Sequence, residues 1–133
     1  MRILAVDDNS AFLSSLEMFL EVDGHVVSAV RSAGEALELL TPDHRFDLVI
    51  TDLRMPGIDG EQFLQRAVEQ LSGAIPPFIL LSSFVEEVGH NPAQLPWMGM
   101  VPKGQPDALR DIIDSLAIAN PSNRLENGNP ASM

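Results

Sequence analysis

Four short apolar runs in this chain each stop on a residue that can do chemistry. Residues 3–6 run into Asp7 and Asp8, and residues 46–51 into Asp52 at the head of DLRMPGIDG. Residues 78–81 run into Ser82, and residues 98–101 into Pro102 and Lys103. A carboxylate closing a buried-looking strand is costly unless it is hydrogen-bonded, metal-bound or used. Each residue also has a plainer explanation. Asp8 or Asn9 can cap the helix that follows. Asp52 can form a turn ahead of Pro56 and Gly57. Ser82 can bond local backbone, and Lys103 can be a solvated surface charge.

Taken as a set, these groups point to one crevice. In a doubly wound sheet with the first strand central, the first and third strands flank the point where strand order reverses, and ligands gather there. Asp7, Asp8 and Asp52 then converge, with Ser82 and Lys103 arriving from the other side. Three carboxylates in one pocket repel unless a cation offsets them. Magnesium suits the donor set, since it takes hard oxygen ligands and often one or two carboxylates beside phosphate oxygens. A lysine adds a point charge for an incoming anion, and a serine hydroxyl can donate to it. Together these groups describe phosphoryl chemistry with an aspartate nucleophile.

The elements that must position them follow from hydrophobic period. From Ser10 the spacing is helical, with Phe12, Leu13, Leu16, Phe19 and Leu20 on one face; Asn9 or Ser10 can cap it and Asp23-Gly24 end it. Residues 26–30 read as a strand. Ser32 and Glu35 form a capping-box pattern opening a helix closed by Thr41-Pro42-Asp43. Asp59 and Gln62 open a third helix with Phe63, Leu64, Ala67, Val68 and Leu71 inward. Pro106 suits the first turn of a last helix burying Leu109, Ile112, Ile113 and Leu116. Residues 83–97 hold Gly89, Pro92 and Pro96, which leaves room for about two helical turns. Residues 120–133, rich in Asn, Pro and Ser, read as a flexible tail or linker after a domain spanning 1–119. Five strands alternating with helices imply an α/β, doubly wound parallel sheet covered on both faces.

Composition narrows the partners. Of 133 residues, 8 are Lys or Arg and 19 Asp or Glu, for a net charge of −11. That disfavours direct binding to nucleic acid or an anionic membrane. There is no cysteine, which excludes disulfides and thiolate metal sites and fits a cytoplasmic location. No apolar run approaches the roughly 20 residues needed to span a bilayer. His25, His44 and His90 are scattered in expected turns and read as surface residues. A glycine-rich phosphate loop is missing after the first strand, which counts against a nucleotide-binding domain.

The pair Asp7-Asp8, the string Asp52-Leu-Arg-Met-Pro-Gly-Ile-Asp-Gly60, Ser82 and Lys103 resemble a receiver domain of two-component response regulators, over residues 1 to about 119. The resemblance implies a flavodoxin-like fold with strand order 2-1-3-4-5. It implies that Asp52 accepts a phosphoryl group from a sensor histidine kinase or phosphotransfer protein. Asp7, Asp8, Asp52 and the backbone carbonyl of Arg54 would hold Mg2+, and Ser82 and Lys103 would contact the new phosphoryl group and switch binding of a downstream output protein or domain. Such a protein is no enzyme beyond its own phosphotransfer and dephosphorylation. Three departures stand out. Met100 occupies a usual aromatic position, Gly104 follows Lys103 where proline is usual, and residues 83–97 are proline-interrupted. The alternative is a pseudo-receiver, an interaction module without phosphorylation.

Overall fold

The computed structural model describes residues 1–83 and 95–119. Their strands are β1 (Arg2–Val6), β2 (Val26–Val30), β3 (Leu48–Asp52), β4 (Phe78–Ser82) and β5 (Trp97–Pro102). Their helices are α1 (Ser10–Val22), α2 (Ala33–Leu39), α3 (Gly60–Gln70) and α4 (Pro106–Ala119). All strand pairs are parallel, in the order β2-β1-β3-β4-β5. This is the doubly wound, five-stranded topology expected from the alternation of periods. The two-turn helix expected within residues 83–97 falls almost wholly outside the described residues, as do the tail and His90.

The sheet separates two cores by residue parity, because successive side chains on a strand point to opposite faces. Ile3 and Ala5 of β1, Leu48 and Ile50 of β3, and Ile79 and Leu81 of β4 pack with Leu13, Leu16 and Leu20 of α1 and Leu109 and Ile113 of α4. Leu4, Val6, Val49 and Phe78 face the other way, against Ala33 and Ala36 of α2 and Phe63, Leu64 and Ala67 of α3. All five residues of β3 and of β4 are buried, as befits strands covered on both faces; they are apolar up to the polar ends Thr51-Asp52 and Ser82. The Phe63 and Phe78 rings meet at 5.3 Å across the sheet–helix seam.

Helix starts follow the sequence signals. Asn9, not Ser10, caps α1, its side chain accepting the Phe12 N–H at 3.1 Å. Ser32 caps α2, and Glu35 accepts from the Ser32 hydroxyl at 3.2 Å. Asp59 and Gln62 complete a reciprocal capping box on α3. Four strands differ from expectation at their limits. β1 starts one residue early at Arg2, and β4 takes in Ser82. β3 starts two residues late and takes in Asp52, and β5 extends from Trp97 to Pro102 because its pairing with β4 continues through Ser82 and Pro102.

Candidate functional site

The site lies where the carboxyl ends of β1, β3, β4 and β5 come together. Parity decides which side chains meet. Asp7 continues the Ile3–Ala5 side of β1, Asp52 the Leu48–Ile50 side of β3, and Lys103 the Val101 side of β5. All three therefore fall on the face covered by α1 and α4. Carboxylate oxygens of Asp7, Asp8 and Asp52 lie within 4.8 Å of one another. Lys103 Nζ stands 2.6 Å from Asp7 Oδ2 and 3.5 Å from Asp52 Oδ2. Asp7 and Asp52 are buried, at 2% and 7% exposure, while Asp8 is exposed.

Backbone contacts fix the cup. Asp52 Oδ1 accepts the Leu53 N–H at 2.9 Å. The Thr51 hydroxyl donates to the Asp52 carbonyl, also at 2.9 Å. Gly60 donates its N–H to the Leu53 carbonyl at 2.8 Å, which seats the start of α3 against the Asp52–Leu53 backbone. That approach needs glycine: a Cβ on residue 60 would lie 2.5 Å from the Asp52 carbonyl oxygen. The Lys103 N–H donates to the Ser82 carbonyl at 2.8 Å, so the lysine loop is tied to the end of β4. Ser82 is buried at that strand end.

The electrostatics follow from this crowding. Burial pushes the Asp52 carboxyl above its ordinary value, and the Asp7 carboxylate adds to the rise; Lys103 and the Leu53 N–H pull part of it back. One ammonium cannot neutralise three carboxylates, so the cup keeps an excess of negative charge. Hard oxygen donors in that geometry, one of them exposed, fit a divalent cation of the magnesium type.

Of the residues singled out from sequence, Asp7, Asp8, Asp52 and Lys103 are brought into direct proximity, and Ser82 reaches the same strand edge. Arg54 is exposed and lines an open cavity of about 550 Å³ with Met55 and Glu61, beside the loop that follows Asp52. Sequence reasoning missed two contacts. The Phe12 ring, expected only as core, has its centroid 4.4 Å from Lys103 Nζ. His25 is corrected too. It is half-buried, and its Nδ1 lies 3.0 Å from the Met1 ammonium. An ammonium only donates, so Nδ1 accepts and the neutral ring carries its proton on Nε2.

The chain matches the family model described as response regulator receiver domain over residues 3–114. Two-component response regulator ORR27 of Oryza sativa subsp. japonica is 33% identical over 90 residues, covering 66% of this chain and 14% of that protein. Sensory/regulatory protein RpfC of Xanthomonas campestris pv. campestris is 39% identical over 87 residues, covering 64% of this chain and 12% of that one. The chain thus spans at most about one-seventh of these relatives. Among solved structures, response regulator protein TrrA from Thermotoga maritima, in complex with Mg(2+)-BeF, superposes with a TM-score of 0.73 at 26% identity, covering 86% of this chain and 97% of that one. The CheY-like receiver domain protein from Methanospirillum hungatei JF-1 gives 0.72 at 28% identity, covering 86% and 92%. With its sheet order, its acidic strand edge and a family match across nearly all the described residues, the chain belongs to the response regulator receiver domain family.

Proposed function

We propose that this receiver domain takes a phosphoryl group on Asp52 from a phosphohistidine of a sensor kinase or phosphotransfer protein, and that the modified form changes its binding to a downstream output protein or domain. The observation that carries this is the placing of Asp52 Oδ2 3.5 Å from Lys103 Nζ in a cup shared with Asp7 and Asp8. An Asp52 carboxylate oxygen forms the new bond to phosphorus. The bond from phosphorus to the donor nitrogen breaks, and its electron pair stays on the departing imidazole. Lys103 holds a non-bridging phosphoryl oxygen, and the Ser82 hydroxyl donates to another. Asp7, Asp8, Asp52 and the Arg54 carbonyl would hold Mg2+, which when bound supplies charge neutralisation among the carboxylates and the phosphoryl oxygens. The protein turns over no other substrate, and it works in the cytoplasm.

Phosphorylation adds about −1.5 to −2 charges and strong acceptor oxygens. Lys103 then leaves Asp7 for the new group. Because the Lys103 N–H is bonded to the Ser82 carbonyl, the two loops move together. The ends of β4 and β5 and the start of α4 repack, which shifts the population towards a second surface.

Acetyl phosphate tests the assignment without a kinase. With magnesium, the wild-type chain is expected to take label and Asp52→Asn to take none. Equal labelling of the two proteins removes Asp52 from its role. No labelling of either leaves an interaction module without phosphorylation.

A further inference from the structure

Four contacts close a ring that begins and ends at Lys103. Its Nζ pairs with Asp7 Oδ2 at 2.6 Å. The other oxygen of that carboxylate, Oδ1, accepts the Asn9 N–H at 2.9 Å. The Asn9 side chain in turn accepts the Phe12 N–H at 3.1 Å, as the cap of α1. The Phe12 ring then returns to the ammonium, with 4.4 Å from its centroid to Nζ. The cap that starts α1 thus also sets where the ring sits.

An aromatic residue on the first turn of α1 needs no lysine to explain it, since Phe12 also packs against the core. Its placing beside this ammonium has a further consequence. The Lys103 side chain is only 13% exposed, so its charge is largely stripped of water. A desolvated cation is attracted by the negative face of an aromatic ring. That attraction uses none of the three N–H donors and has little directional demand. It therefore persists while the donors change partner. Phe12 and Lys103 also line a cavity of about 260 Å³ with Leu16, Pro102 and Leu109. That cavity offers the flexible lysine stem somewhere else to lie.

We propose that Phe12 is a positioning residue that keeps the Lys103 ammonium at the mouth of the cup while it exchanges Asp7 for a phosphoryl oxygen. The proposal rests on Asp52 being the phosphoacceptor. It is specific to the ring's charge distribution and not to its bulk, which makes it separable from packing.

The test uses the full chain with Phe12 replaced by mono-, di- and trifluorophenylalanine, together with Phe12→Tyr and Phe12→Leu. Fluorination holds the shape nearly constant and removes the negative face stepwise. One readout is the ring-current shift of the Lys103 Cε protons in metal-free, unphosphorylated protein. It is expected in the wild type, kept in Phe12→Tyr and lost in Phe12→Leu. The other is the rate of Asp52 labelling by acetyl phosphate. It is expected to fall step by step along the fluorinated series, by about three- to tenfold at its end, with Phe12→Tyr near the wild type. A wild type without the ring-current shift overturns the contact. A flat series in a wild type that does label overturns the positioning role and leaves the phosphoacceptor intact. A wild type that takes no label on Asp52 overturns the phosphoacceptor, and this role with it.

Discussion

Asp52 is buried beside a second buried carboxylate, and its carboxyl is pushed up by that burial and by Asp7. A carboxyl raised in the folded chain contributes most stability below its unfolded value of 3.8, and that contribution is lost as pH rises through the raised value. At neutral pH the metal-free protein therefore carries the cost of an ionised Asp52. Asp52→Asn is expected to be more stable than the wild type in chelator at neutral pH, with the difference shrinking as pH falls towards 3.8; urea midpoints at several pH values read it. His25 behaves oppositely. Burial first, then the Met1 ammonium, lower its value from 6.5, so its contribution is complete above 6.5 and is lost as pH falls through the lowered value. His25→Gln is expected to flatten the loss of stability as pH falls below 6.5, again in urea titrations. For exposed Asp8 the proposed role concerns the cation: Asp8→Ala is expected to weaken Mg2+ binding about tenfold or more by calorimetry, from a millimolar-order affinity. Asp7, Asp52 and Lys103 were legible in the sequence because each sits where an apolar strand stops, and strand parity does the rest. Phe12 was not, because a 3.6-residue period marks a core face without saying what sits over its edge. The His25 contact was hidden for another reason. Its partner is the chain's own amino group, brought near by the Arg2–Val26 register of β1 and β2.

The elements differ in how much latitude their contacts leave. Gly60 opens α3 directly against the Asp52 backbone, where neither side can yield, whereas Gly99 of β5 faces the end of the Ile112 side chain. A Cβ at residue 99 would come 2.8 Å from Ile112 Cδ1, an atom that moves with a rotamer. Gly60→Ala is therefore expected to cost about 1–3 kcal/mol in chemical denaturation and to slow the proposed labelling of Asp52, since it displaces that residue's backbone. Gly99→Ala is expected to cost less than about 1 kcal/mol. Helix starts were legible to the residue or nearly so, because Asn9, Ser32 and Asp59 each supply a side-chain acceptor for an otherwise orphan N–H. Strand limits were legible only to within two residues. They depend on how far a neighbouring strand runs, which a single stretch of sequence does not contain, as Pro102 shows by its pairing with Ser82.

At the scale of the molecule, two different cores cover the two faces of one parallel sheet, and Asp7, Asp52 and Lys103 meet at the carboxyl ends of its strands. The order β2-β1-β3-β4-β5 makes β1 and β3 neighbours at the reversal point, which places Asp7 and Asp52 side by side. That topology was legible because five apolar strands alternate with amphipathic helices. The assignment of a partner was not, because the curated relatives carry a stretch like this one within much longer chains. No helix among the described residues is long and apolar enough to cross a membrane. With a net charge of −11, a protein partner of this chain is expected to present a basic patch. The most direct measurement is to treat the whole chain with acetyl phosphate, trap the product by borohydride reduction, and map the reduced residue with and without magnesium. Reduction at Asp52, and only with the metal, is the predicted result. Reduction at Asp7 or Asp8 instead, or an equal yield at Asp52 in chelator, would contradict a cup that joins a divalent cation to a phosphoryl group on Asp52.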